Sequence, residues 1–455
     1  MKQTTALEML KAGHNVFLTG SAGTGKTHLL NQYINYLKER EMDLAITAPT
    51  GIAASHINGM TIHSFFGIGI RENVDEHFLD SLIQKEFLHK RLKKLKVLII
   101  DEISMVSPLL FDSIDKILRA FKYSDEPFGG LQLVLSGDFF QLPPISQNTN
   151  NLRFAWQAEV WKKAGLKSCY LTEKFRQSDE SLITILDEIR SGKVSEKSME
   201  ILHSCRKKEL KNNPRITKLY THNKDVDRIN QEELDLLKSP VKIFESKNQG
   251  SKKNIDKIFN SSLVNEELKL KKQALVIFIK NNYEAGYING TLGKVINFDK
   301  TSNAPIVKLF SGRKITVEAE DWKLENNKGE IKAVVKQIPL RLAWALTVHK
   351  SQGMTLDAAE IDLSKTFETG QGYVALSRIK SIDGLRLMGL NDIALQVDQI
   401  VLNIDEKIKE ASASHENKFQ ALSTEEKEIL AKEFIIQNNG TINEEESRSI
   451  YQPCI

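Results

Sequence analysis

The chain has 455 residues, 27% charged and 41% hydrophobic, which is ordinary globular material and long enough for two or three domains. Its three cysteines, Cys169, Cys205 and Cys454, lie far apart and form no CxxC pair, which argues against zinc, an iron–sulfur cluster or a disulfide framework. Net charge is only +4, but residues 401–455 hold eleven acids against six bases, so residues 1–400 carry an excess of +9, suited to a polyanionic partner.

No apolar stretch approaches the length of a membrane span, and no signal peptide precedes the first predicted strand. Gln3 sits just upstream of that strand, on a short helix with Leu7, Met9 and Leu10. Its amide has the chemistry to read an adenine edge, although an isolated glutamine carries no such signal.

Val16-Phe17-Leu18 predicts a buried strand, and His28 to Lys38 keeps helical spacing through Leu29, Leu30, Tyr33, Ile34 and Leu37. Between them runs Gly20-Ser21-Ala22-Gly23-Thr24-Gly25-Lys26-Thr27. Strand, glycine loop and helix in that order form a phosphate-binding loop. The glycines let backbone N–H groups converge, and the helix N-terminus adds partial positive charge for a polyphosphate. Lys26 is placed to reach the β- and γ-phosphates of ATP or GTP, and the Thr27 hydroxyl to ligate Mg²⁺.

A second strand from Asp43 to Thr47 turns through Thr47-Ala48-Pro49-Thr50-Gly51 into a helix. Small and hydroxyl residues there let a nucleic-acid backbone approach, a plain strand–helix connection being the competing reading. Thr61-Ile62-His63-Ser64-Phe65-Phe66 pairs stackable rings with short donors, and one of the two phenylalanines is assigned to the core. Phe87 to Lys96 is basic, but Leu88, Leu92 and Leu95 make it a solvated helix.

Val97-Leu98-Ile99-Ile100 is a fully apolar strand that ends on Asp101 and Glu102. Beside a phosphate loop, Asp101 suits a water-mediated hold on Mg²⁺, and Glu102 suits the base that takes a proton from the attacking water. Leu131 to Leu135 predicts the next strand, which leads into Asp138-Phe139-Phe140-Gln141-Leu142-Pro143-Pro144. Gln141 is placed to report a γ-phosphate, and the two prolines to form a rigid surface against which a base rests. Arg176, in Leu171-Thr172-Glu173-Lys174-Phe175-Arg176-Gln177, is a candidate for stabilising the transferred phosphoryl group.

Residues 178–237 read as helix-rich, with a break near Lys211 to Pro214 and a strand at Lys218 to Thr221. The lysine-rich segment from Pro240 to about Lys272 reads as an exposed insertion. Short β-runs between Ala274 and Val317, parted by Gly, Asn and Asp turns, suggest a small barrel. Leu342 to Thr355 is expected to be helical with a sharp turn at Gly353, and Thr347, His349 and Lys350 to form a phosphate-contacting edge. Ala359 to Leu363 predicts a strand, Gly370 to Arg378 a helix bearing Tyr373 and Arg378, and the chain beyond Gln399 an acidic helical tail with a frayed end.

Taken together, GSAGTGKT, APTGIAA, TIHSFFGI, LIIDEISM, PFGGLQLVLSGDFFQLPP, LTEKFRQ, HKSQGMTLD and GQGYVALSR resemble the PIF family of superfamily 1 helicases, the 5′→3′ subgroup, over about residues 1–390. The resemblance implies an α/β fold: two RecA-like parallel-sheet domains of the P-loop NTPase type, with a small SH3-like β-barrel inserted in the second. Expected boundaries are 1–170, with a small insertion around 55–80, for the first domain. The second is expected at 171–240 and 336–400, the barrel at 241–335 and the acidic tail at 401–455.

Carried over by position, the resemblance implies Gln3 on adenine, the loop Gly20 to Thr27 and Gly353 on the nucleotide, and Thr27 and Asp101 on Mg²⁺. Gln141 is then the γ-phosphate sensor, and Arg176 and Arg378 close on the phosphates from the second domain. Pro49, Thr50, Gly51, His63, Ser64, Phe65, Phe139, Pro143, Pro144, Thr347, His349 and Lys350 are expected along single-stranded DNA. The implied activity is ATP-driven 5′→3′ translocation with unwinding of duplex or structured DNA, for which forks, R-loops and G-quadruplexes are all compatible substrates. Single-stranded DNA and its junctions with duplex are the expected partners.

The expected protein is a cytoplasmic monomer, nucleoid-associated if bacterial, without targeting segment or regulatory arm. A RecD-like or conjugation-type helicase is the alternative within the superfamily. An ATP-dependent switch or loader that does not unwind is the alternative outside it, and two arginine candidates within one chain weigh against that.

Overall fold

The computed structural model describes residues 1–69, 71–144, 153–175, 179–206, 217–262, 264–280, 282, 284–287, 291–310, 312–325, 331–356 and 358–442. Six strands, β1 (Val16–Gly20), β2 (Leu44–Ala48), β3 (Met60–Thr61), β4 (Val97–Ile100), β5 (Gln132–Ser136) and β6 (Lys167–Leu171), form one sheet. Its order is β3-β2-β4-β5-β1-β6, and every pairing is parallel. All residues of β1, β4 and β5 are buried, as continuous apolar runs covered on both faces must be.

Alternation along these strands feeds two separate cores, because successive side chains of a strand point to opposite faces. Phe17, Leu98, Ile100, Leu133 and Leu135 join the helix Pro108–Lys122 on one side. On the other, Val16, Leu18, Val97, Ile99 and Val134 join the helix Lys26–Glu39 through Leu29, Leu30, Tyr33, Ile34 and Leu37.

After β7 (Thr217–Tyr220) and the helix Asn223–Leu236, the chain leaves for an antiparallel unit before returning to the same sheet. In this unit β8 (Lys242–Glu245) pairs with β10 (Glu267–Leu270), and β9 (Lys247–Gly250) pairs with β16 (Ile331–Gln337), which also pairs with β15 (Glu320–Glu325). A five-stranded sheet runs in the order β14-β13-β12-β11-β17, built from β11 (Leu275–Phe278), β12 (Leu292–Phe298), β13 (Pro305–Leu309), β14 (Lys314–Thr316) and β17 (Leu340–Leu342). Val276, Phe278, Val295, Val307, Leu309, Ile315 and Leu340 form its core. Its outer strands, β14 and β17, are not paired with each other among the described residues.

The second parallel sheet then completes as β18-β7-β19-β20, with β18 (Ala345–Thr347), β19 (Ala359–Leu363) and β20 (Leu385–Leu390). The helix expected over Leu342 to Thr355 is therefore replaced by β17, β18 and a 3₁₀ turn at His349–Ser351. Short apolar runs do not distinguish strand from helix by periodicity alone. Here Asn230 decides the edge: its amide donates to the Ala345 carbonyl and its oxygen accepts from the Ala345 N–H, both at 3.0 Å.

The acidic segment after Gln399 is docked along its described length. Helix Gln399–Gln420 lies along β6, the edge of the first sheet, and buries Val401, Asp405, Ser412 and Phe419. Edge strands expose unpaired N–H groups. The Tyr170 N–H donates to Ser412 Oγ at 2.9 Å and the Ser168 N–H to His415 Nδ1 at 3.0 Å, which satisfies both. A capping box of Ser423 and Glu426 then starts the helix Thr424–Gln437, whose Ile435 packs with the first sheet's core. The break near Lys211 to Pro214 and the end of the tail lie outside the described residues.

Candidate nucleotide and nucleic-acid site

A parallel sheet gathers loops at the C-terminal ends of its strands, and ligand-binding groups collect there. The loop after β1 runs from Gly20 into helix Lys26–Glu39. Gly20 holds φ +143°, and a Cβ on it would meet the Leu171 carbonyl at 2.6 Å, so the tight turn needs glycine. Lys26 Nζ donates to the carbonyls of Gly20 at 2.8 Å and Ser21 at 3.1 Å, and Thr24 Oγ1 donates to the Ser21 carbonyl at 2.9 Å. Thr27 is exposed on the first turn of the helix. Gln3 reaches this loop as well, its amide donating to the Thr24 carbonyl at 2.9 Å.

Asp101 leaves β4 buried, and its Oδ1 accepts the Glu102 N–H at 3.0 Å. Glu102 holds φ +53°, a left-handed backbone that costs a residue with a side chain about 1–3 kcal/mol and gathers at functional sites. Burial raises the affinity of both carboxyls for a proton. At Glu102 the charge of Asp101 adds to this, while Lys26, Arg378 and a hydrogen bond from Gln352 work against it. That bond runs from Gln352 Nε2 to Glu102 Oε2 at 2.9 Å and crosses from the second sheet to the first.

Lys26, Thr27, Asp101, Glu102 and Gln141 line one cleft of about 860 Å³ together with Arg378 from the second sheet. Gly23, Gly25 and Gly353 also line it, as do Leu309 and Phe310 from the inserted unit. Arg378 is 1% exposed, its guanidinium donating to the Val374 carbonyl at 2.8 Å and to Ser377 Oγ at 2.7 Å. Arg176 lies outside the described residues. Its neighbour Phe175, unremarked in the sequence, presents an exposed ring in the cleft, and its N–H donates to the Gly23 carbonyl at 2.9 Å. Phe175 and Gln3 both crowd the position that a Cβ on Gly25 would take.

The donor set fits Mg²⁺ held jointly with phosphates: one hydroxyl, from Thr27, and one carboxylate, from Asp101, face the same cleft. Mg²⁺ usually takes one or two such protein ligands and keeps the rest as water and phosphate oxygen.

Behind the cleft, Asp138 joins both sheets. Its Oδ1 accepts from Arg190 Nη1 at 2.6 Å, and its Oδ2 accepts from the Tyr373 hydroxyl at 3.2 Å and the Gln141 amide at 3.4 Å. The same Tyr373 oxygen accepts the Ala22 N–H of the phosphate loop at 2.9 Å. Burial works against the Asp138 charge, yet Arg190 and Lys26 more than offset it and hold this carboxyl below the usual range. Sequence alone offered no signal that Asp138 and Arg190, 52 positions apart, would meet.

The residues expected along DNA divide into two groups. Pro49, Thr50 and Gly51 follow β2, with Thr50 Oγ1 accepting the Ala53 N–H at 3.2 Å and open space above Gly51. Ser64 is exposed and His63 half-buried after β3, and His349 opens the turn after β18. Thr347, the last residue of β18, is 3% exposed, so this expected contact is buried like those of the second group. Burial lowers the proton affinity of His63 and of His349, Glu368 opposing it at the latter. The Lys350 side chain lies outside what is described.

The second group is a correction. Phe65 is 7% exposed, edge-on to Phe66 and under the Arg91 guanidinium, so both phenylalanines of that pair are core. Phe139 is 4% exposed among Phe17, Phe154, Trp156 and Trp161. Pro143 and Pro144 are buried too. None of these four offers an accessible face to a base. Aromatic residues stack on bases only where the fold leaves a face open, and here both rings fill the first domain's interior.

A family model described as PIF1-like helicase matches residues 2–200. The chain is 42% identical to a protein of Psychrobacter named ATP-dependent DNA helicase Pif1, over 97% of this chain and 76% of that one. The crystal structure of the Pif1 helicase from Candida albicans superposes with a TM-score of 0.81 at 33% identity, covering 89% of this chain and 98% of that one. The Pif1 helicase from Bacteroides in complex with ADP-AlF3 and single-stranded DNA gives 0.71 at 32% identity, covering 90% and 96%. Vertebrate relatives are longer, and the chain spans about two thirds or less of their length. Matched at 42% identity over 97% of its length, and by the family model over residues 2–200, the chain belongs to the PIF1-like helicase family.

Proposed function

We propose that the chain hydrolyses ATP in this cleft to move 5′→3′ along single-stranded DNA and to unwind duplexes, acting as a monomer at single-strand/duplex junctions. The observation that carries the reading is the meeting of Lys26, Glu102 and Gln141 from one sheet with Arg378 from the other in a single cleft. A nucleotide between two sheets draws them together when its γ-phosphate is present and lets them part when it is gone.

In this reading the loop N–H groups and Lys26 hold the β- and γ-phosphates, and Glu102 takes the proton of the attacking water. Thr27 and Asp101 would hold Mg²⁺, which when bound would neutralise phosphate charge. Arg378 stabilises charge on the transferred group, a contribution worth roughly 10³–10⁵ in rate for an arginine so placed. Gln141, resting on Asp138, senses the γ-phosphate, while Gln3 and the exposed Phe175 ring take the adenine by hydrogen bonding and stacking. The strand runs across the loops after β2, β3 and β18, where Thr50, Gly51, Ser64 and His349 meet phosphates or bases.

The test is ATPase activity of a monodisperse sample with and without single-stranded DNA. A DNA-stimulated rate in the monomer is expected. A rate indifferent to DNA, or one that appears only on oligomerisation, would favour a switch or loader.

A further inference from the structure

We propose that Gln352 is a positioning residue that restrains the base Glu102 until single-stranded DNA moves the turn to which Gln352 belongs. The proposal rests on the helicase reading above. Glu102 and Gln352 are 250 positions apart, beyond the ends of β4 and β18 in different sheets, and the amide–carboxylate bond of 2.9 Å joins them directly. One oxygen of the carboxylate is thereby committed to a donor, and a general base needs a lone pair facing the proton it abstracts. The left-handed backbone at Glu102 narrows the directions its side chain can take, so the partner on Oε2 decides where the carboxylate points.

Gln352 stands immediately after the His349–Ser351 turn that follows β18, three residues from His349. The turn is internally tied: the Ser351 hydroxyl donates to the Val348 carbonyl at 2.8 Å, and Ser351 and Gln352 are both buried. A displacement at His349 therefore carries Gln352 with it. The next residue, Gly353, holds φ +79° with no room for a Cβ, because the His56 ring sits against it. His56 ends the helix Gly51–His56, which opens on Thr50 and Gly51. The strand-facing loops of both sheets thus meet within one residue of the amide that holds the base. A strand bridging Thr50–Gly51 and His349 pulls on this junction, and the shift frees Glu102 Oε2.

Replacing Gln352 with Met keeps the side chain's length and removes the N–H donor, and Gln352→Ala serves as a second variant should the first misfold. A hydrogen bond to a charged group contributes enough that its loss is expected to raise the DNA-free kcat roughly tenfold. KM for ATP and the affinity for oligo(dT) should stay unchanged, so the DNA stimulation factor falls by the same ratio. A side chain that merely supported the fold would not produce a gain in basal kcat at constant KM. If the wild type is DNA-stimulated and the folded variant keeps its stimulation factor, or loses basal rate, the restraint is overturned. A wild type that does not respond to DNA at all would instead overturn the underlying helicase reading, and the two failures are told apart by that control.

Discussion

Replacing Lys26 with alanine removes the ammonium that rests on the Gly20 and Ser21 carbonyls at the mouth of the phosphate loop. ATP hydrolysis should be lost while affinity for single-stranded DNA stays within several-fold of wild type, because this cation meets the nucleotide and not the strand. Turnover and a DNA titration on the same sample check both halves. Glu102→Gln should behave differently: nucleotide binds, measured with a fluorescent analogue, but is not hydrolysed. Loss of binding there would make the residue structural or metal-ligating. Phe65 belongs to another category, since its ring packs on Phe66 and Arg91 inside the first domain. Phe65→Ala should destabilise the fold by about 3–5 kcal/mol, the usual cost of emptying a buried phenylalanine site. A urea melt reads that directly, and unchanged stability with weakened unwinding would restore the ring to the DNA path.

At the level of elements, the tail helix Gln399–Gln420 closes the open edge of the first sheet through two side chains that accept strand N–H groups. Ser412→Ala leaves the side-chain volume almost unchanged and removes the acceptor for Tyr170, leaving a half-buried donor unsatisfied. The expected cost is about 1–3 kcal/mol in the same urea assay, with ATPase activity preserved below the melting range. No change would mean that the tail covers the edge without contributing hydrogen bonds to it. This docking was not legible in the sequence, where the segment shows only helix-forming acidic composition; the partners of Ser412 and His415 lie more than 240 positions away. The same limit explains Leu342 to Thr355. Its apolar run fits helix and strand alike until Asn230 pairs with Ala345, a contact no local pattern encodes. The strands β1, β4 and β5 were legible because continuous burial leaves an uninterrupted apolar run in the sequence.

For the molecule as a whole, the site divides the same way. Gly20 to Thr27, Asp101 and Glu102 were readable because each sits at a fixed covalent offset from an apolar strand, which determines where the group emerges at the sheet edge. The direction in which Phe65, Phe139, Pro143 and Pro144 face depends on the packing of other elements, and so did the links from Gln352 to Glu102 and from Arg190 to Asp138. Those two links tie the segments that follow β4 and β5 to the second half of the chain, which is where the proposed coupling of nucleotide and strand would pass. Whether this coupling produces directed motion is settled by unwinding. Two duplexes of identical sequence, one with a 5′ single-stranded tail and one with a 3′ tail, are incubated with the protein, ATP and Mg²⁺, and strand separation is followed. The 5′-tailed duplex should be unwound and the 3′-tailed one left intact; preference for the 3′ tail, or no unwinding of either while ATP is consumed, would contradict the account.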